Sequence, residues 1–184
     1  MAPTKGYQMS RLADFLVRSS VPFIVVAAKH IPSLSDLDDS ERAEFESWSL
    51  AGLLRDDSGK PLLVYHGGGG EVSDTDWWTT DRRNTREFGP ITTCAYLRMT
   101  HPAHEDDLVA IYNETFDTDY ADWGDLEEEL DTTPADFMED NSTYFDAVRR
   151  KHDGFIIWDD SLQFPGLAYR VFDVDINAWI LGTF

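Results

Sequence analysis

The chain has 184 residues, 42% of them hydrophobic, and carries 35 acidic against 15 basic side chains, a formal net charge of -20. That length and apolar content suffice for one domain with its own core, and the charge excludes a protein that grips nucleic-acid phosphates over a broad basic face. The single Cys94 excludes an intrachain disulfide and any multi-cysteine metal site, and is expected to be a small buried apolar side chain.

In chain order, SRLADFLVRSS (10–20) places Leu12, Phe15 and Leu16 on one helical face behind Ser10 and predicts a short amphipathic helix. VPFIVVAA (21–28) is apolar but shorter than the roughly 20 residues of a membrane span, and it follows no basic leader, so a cytoplasmic protein is expected. SERAEFESWSL (40–50) predicts a second helix with Ser40 as its cap and Glu41, Glu44 and Glu46 in its early turns. RDDSGKP then turns the chain into PLLVY (61–65), a buried strand ending at His66 and four glycines. WW (77–78) predicts a short extended piece, TTDRRNTREFG (79–89) a capped helix ended by Gly89, and TTCAYLRMT (92–100) a strand stopped at His101-Pro102.

From Glu105 to Asp140 there is no Lys or Arg, so direct nucleic-acid binding through that window is not expected. It reads either as a solvated face or as a surface that attracts a basic partner by long-range steering. Tyr112, Phe116, Tyr120, Trp123 and Phe137 interrupt the acids, which predicts a folded segment, helical around DLEEEL. TYFDAVRRKH (143–152) predicts a helix with Tyr144, Phe145 and Val148 inward, and FIIWDD and LAYRVFDVD the last strands. The fold class is therefore α+β, with helices first, a mixed series of short strands later, and no repeat or linker long enough to split the chain.

The chemistry centres on VYHGGGG (64–70). Consecutive glycines bring backbone N–H groups within reach of a planar amide or a phosphate, but neither the GK[ST] of a phosphate-binding P-loop nor the spacing of a dinucleotide fingerprint is present. What remains is an imidazole able to donate to a hydroxyl, beside a glycine whose backbone can pair with an amide. His101, His104 and His152 have no ligand-like spacing, so no metal is expected.

The succession FESWSLAGLLRDDSGKPLLVYHGG, WWTTDRRNTREFG, CAYLRMTHPAHEDD, KHDGFIIWDD and AYRVFDVDIN resembles the ADP-ribosyltransferase-like domains of phage and mobile-element polyvalent proteins, over about residues 45–178. The resemblance implies a split mixed β-sheet that binds NAD, similar to that of poly(ADP-ribose) polymerases and diphtheria-type toxins with their H-Y-E triad. It makes residues 1–184 one domain, with 1–44 an N-terminal helical extension, 45–184 the core, and the acidic window a helical and loop insertion. His66 matches the histidine that hydrogen-bonds a ribose hydroxyl and is the implied catalytic residue, and Gly67 matches the glycine whose backbone clamps the nicotinamide carboxamide. Trp77 falls where relatives place a Tyr or Phe that stacks on nicotinamide, and Thr85 matches a hydroxyl that touches the carboxamide. Arg82, Arg83 and Arg86 stand where they would meet the NAD pyrophosphate or simply pair with nearby Asp on a solvent face.

Two departures weaken the implied chemistry. Gly68 stands where Thr or Ser is usual, and Ala168 stands at the family's Glu, the group that stabilises the oxocarbenium-like transition state. Asp159, Asp160, Asp173 and Asp175 flank the final strands as substitutes. Two functions follow as expectations. One is an NAD-dependent mono-ADP-ribosyltransferase of phage origin that modifies a macromolecule in a bacterial host. The other is an inactive relative that inhibits a basic, nucleic-acid-binding host partner through its acidic surface, or holds a nucleotide without chemistry.

Overall fold

Asp38 opens the first α-helix, because its carboxylate accepts from the backbone N–H of Ser40 and Glu41, both at 2.8 Å, while Glu41 reaches back to the Asp38 N–H at 2.9 Å. This reciprocal box caps α1 (Asp39–Trp48) two residues before the expected Ser40, because the carboxylate of Asp38 satisfies two of the orphan N–H groups at the helix start. The computed structural model describes residues 31–130, 132, 137, 138 and 140–184, and the helix expected over 10–20 lies outside them. Residues 31–184 gather into one compact unit, and α1 runs through the boundary expected at 44/45.

Six strands follow: β1 (Leu63–Gly68), β2 (Trp78–Thr79), β3 (Ile91–Leu97), β4 (Gly154–Asp159), β5 (Gly166–Val171) and β6 (Ala178–Thr183). They form one sheet in the order β4-β5-β2-β1-β3-β6. The expected mixed series of strands is corrected here, since every pairing within the sheet is antiparallel. The two halves of the sheet, β4-β5-β2 and β1-β3-β6, meet at a thin seam, the single register pair Tyr65↔Thr79. His66 lies inside β1 and not at its end, because β3 pairs with the chain as far as Gly68. The helix expected over 79–89 is a shorter 3-10 helix (Arg82–Glu87) capped by Asp81, and the helices of the acidic window are α2 (Glu105–Phe116) and α3 (Trp123–Leu130). Next come α4 (Ser142–Arg149) and, after β5, the one-turn α5 (Val174–Asn177).

Strand alternation gives the sheet two faces. On one, Phe155, Ile157 and Ala168 pack under α2, α3 and α4 through Leu108, Leu126, Tyr144 and Val148. On the other, Val64, Trp78, Ala95, Leu97, Tyr169 and Val171 form a second cluster. At the β3–β6 end, Phe45 of α1 sits 5.4 Å from the ring of Tyr96 and 5.5 Å from that of Trp179. Burying such an aromatic stabilises by about 1.5–3 kcal/mol, which is what docks a mostly polar helix. Cys94 is fully buried and free. Among the described residues no helix is long and apolar enough to cross a membrane.

Candidate functional site

The sheet registers align two rows of side chains across the seam. Ile157, Ala168, Thr79 and Tyr65 stand opposite one another in succession, and in the next row Phe155 pairs with Arg170. Above these rows lies a cleft of about 310 Å³, floored by Tyr65, Gly67, Trp77, Thr79, Ile157 and Ala168. Thr85, Glu87 and Phe88 of the 3-10 helix region form one wall, Trp123 and Glu127 of α3 another, and Asp159 to Leu162 of the β4–β5 loop a third. Its volume falls at the lower end of small-ligand clefts, about 300–1,000 Å³.

Local hydrogen bonds hold these walls. Buried Asn84 donates from Nδ2 to the Phe164 carbonyl at 2.9 Å and accepts the Phe164 N–H at 3.0 Å, tying the β4–β5 loop to the 3-10 helix. Thr85 Oγ1 donates to the Arg82 carbonyl at 2.8 Å and meets Thr92 Oγ1 at 2.9 Å. Trp123 Nε1 donates to Glu127 Oε1 at 2.7 Å, and Asp159 Oδ1 accepts from the N–H and hydroxyl of Ser161 at 2.9 and 2.6 Å. Trp77 is wedged edge-on against Phe155 at 5.1 Å, with the buried guanidinium of Arg170 5.7 Å from its ring. Burial, with the neighbouring Cys94, pushes the Tyr65 phenol above its usual range, so it stays a neutral donor at ordinary pH.

Of the residues picked from the sequence, Gly67, Trp77 and Thr85 come together in this cleft, and Ala168 lies on its floor. His66 does not join them. Its side chain alternates to the opposite face of the sheet, 5.6 Å from the Trp78 ring, and its Nδ1–H donates to the Trp77 carbonyl at 3.0 Å. There it fastens β1 to the chain entering β2 from behind, with Nε2 3.8 Å from Asp76. The absent side chain of Gly67 also has a plainer cause than a ligand, for a Cβ there would lie 2.1 Å from the Thr85 carbonyl oxygen. Glycine is needed for the chain to pack on itself.

None of the three arginines lines the cleft. Arg82 lies over the Phe184 ring at 5.8 Å, Arg83 forms an ion pair with Asp81 and stacks on Phe164 at 3.5 Å, and Arg86 is exposed on the same 3-10 helix. Arg83 holds the Asp81 carboxyl down to about 2. Of the candidate substitute acids, Asp159 and Asp160 line the cleft, while Asp173 pairs with Arg149 and Asp175 is exposed elsewhere. Tyr65, Thr79, Phe88, Trp123 and Glu127 were not picked as site residues. The Trp-x-x-x-Glu spacing of Trp123 and Glu127 was the one local sign that two of them share a helix face.

Among the described residues no group of His, Cys, Asp or Glu has the arrangement of a metal site. The lining combines indole and phenol side chains, hydroxyls and backbone. It does not suit a pyrophosphate, because among the described residues four carboxylates and no Lys or Arg line it. In comparisons with family models, curated proteins and solved structures, the chain matches none of them.

Proposed function

We propose that the cleft binds the ring of a nicotinamide-type ligand, NAD through its nicotinamide end included, and that the protein is an ADP-ribosyltransferase-like binder without transferase chemistry. The observation that carries this reading is the meeting of Gly67, Trp77 and Thr85, chosen from separate stretches of the sequence, around one cleft with Ala168 in its floor. A methyl group there can neither polarise a ribose hydroxyl nor stabilise positive charge developing on a ribosyl carbon, so positioning alone is left. The ring of His66 lies on the far face of the sheet, out of reach for both roles the resemblance implies, the ribose hydrogen bond and catalysis, so the reading rests on the cleft lining alone.

One observation favours single ADP-ribosyl transfer as the second reading. Asp159 lies at the cleft with its carboxylate held by Ser161, an acid in reach of the same space. The two readings separate in one pair of measurements. Calorimetric titration with nicotinamide and with NAD is expected to show saturable binding, roughly millimolar for the small ring, weakened in Phe88→Ala and retained in His66→Ala. Incubation with labelled NAD and bacterial lysate is expected to leave protein unlabelled. Label that appears with the wild type and vanishes in Asp159→Asn would establish the transferase instead, and absence of any nicotinamide or NAD binding would end both readings.

A further inference from the structure

We propose that the cleft selects a planar ring that carries a positive charge, an N-substituted pyridinium of the nicotinamide kind, over its neutral counterpart. This rests on the reading of the cleft as a nicotinamide site and adds the property by which it would choose among such rings. Two independent features of the lining converge on it. The first is aromatic: Tyr65, Trp77, Phe88 and Trp123 line the space, and the negative face of an aromatic ring attracts a cation. The second is electrostatic: Glu87, Glu127, Asp159 and Asp160 all line the cleft, and no Lys or Arg does.

Among the described residues no ion pair involves Glu87, Glu127, Asp159 or Asp160. Glu127 accepts from a neutral indole N–H and Asp159 from a neutral serine, so the orientation of each is held by a partner that carries no charge. The partly buried setting of Glu127 and Asp159 screens these charges less than open solvent does. A pyridinium gains the cation–π and carboxylate attractions in addition to ring stacking; nicotinamide, whose ring nitrogen bears no substituent and no charge, keeps only the stacking. By the same chemistry an oxidised nicotinamide ring binds and a reduced, uncharged one is disfavoured.

The test is calorimetric titration of the full chain with two probes, the N-methylnicotinamide cation and nicotinamide. Wild type is compared with the double variant Glu127→Gln, Asp159→Asn, at low and at raised salt. Both replacements keep an oxygen to accept from Trp123 and Ser161, and Glu87→Gln, at an exposed site, serves as a second variant should the double one unfold. The cation is expected to bind about tenfold more tightly than nicotinamide to the wild type. The gap is expected to shrink by about threefold or more in either variant and with salt. Binding of both probes with equal affinity, or a gap unchanged by removing the carboxylates, overturns charge selection and leaves the nicotinamide reading standing. Failure of both probes to bind the wild type overturns that reading as well.

Discussion

At the scale of single residues, two side chains in the glycine-rich stretch do structural work that the sequence presents as chemistry. His66 donates to the Trp77 carbonyl across the seam where the two half-sheets share one register pair, so it fastens β1 to the chain entering β2 and does not enter the cleft. Gly67 leaves space that the Thr85 carbonyl fills. Because that neighbour is backbone, a methyl group cannot be accommodated by turning a side chain, and the 3-10 helix must shift away from β1. Gly67→Ala is therefore expected to cost about 1–3 kcal/mol by overpacking. In thermal unfolding this is about 2–4 °C for each kcal/mol lost, with weaker nicotinamide binding as the Thr85 wall moves. A melting temperature and affinity equal to wild type would show that the contact is not tight. A periodicity argument sees that the histidine and the glycine are adjacent; alternation then sends their Cβ directions to opposite faces, and only the pairing with β3 shows that the strand runs on through both.

At the scale of elements, the sheet depends on short connections closed by single acids. Asp153 accepts from the Thr100 N–H and hydroxyl at 2.6 and 2.7 Å and from the His101 N–H at 3.1 Å, tying the chain after β3 to the start of β4. Burial by itself would raise the Asp153 carboxyl, but these donors together outweigh it and hold the pKa below its ordinary 3.8. A carboxyl whose pKa is lowered on folding adds stability that is complete above the unfolded value and disappears as the pH falls through the folded one. Urea unfolding of Asp153→Asn against wild type is expected to show a loss of about 1 kcal/mol at neutral pH, discounted for the exposed donors. That difference should begin to narrow as the pH falls below 3.8 and vanish once it has fallen through the lower folded value, where the wild-type carboxyl becomes protonated. A difference that stays constant down to the lowest pH would deny the carboxylate its role. The element boundaries that the sequence misses have related causes. The cap of α1 moves to Asp38 because a D-x-x-E box competes with Ser40, and the last strand expected, LAYRVFDVD, gives way at Val174 to the one-turn α5, after which β6 returns to pair with β3.

At the scale of the whole molecule, a net charge of -20 on 184 residues puts the folded chain under self-repulsion. The acids of α2 and α3 sit on helices whose inner faces bury Leu108, Ile111, Tyr112 and Leu126, so the acidic window is held to the core and its outward charges remain in solvent. Added salt screens such charges over about 8–10 Å at physiological ionic strength. The melting temperature is therefore expected to rise between low and raised sodium chloride, by about 2–4 °C for each kcal/mol of repulsion relieved. A melting temperature that falls with salt would mean that the ion pairs, such as Arg149 with Asp74 and Asp173, outweigh the repulsion.

Composition and local pattern are enough to determine the α+β class, the acidic and helical character of the middle of the chain and the inward face of α4, because burial periodicity and capping chemistry act over a few residues. Gly67, Trp77 and Thr85 are named together only by the resemblance to a known family, not by any local pattern. The sheet's antiparallel order, the seam between its halves, the face to which His66 turns and the exclusion of the arginines from the cleft are decided by tertiary structure alone. Strand register joins residues as far apart in sequence as Tyr65, Thr79, Ala168 and Ile157, and a shift of one residue would send each of those side chains to the other face of the sheet.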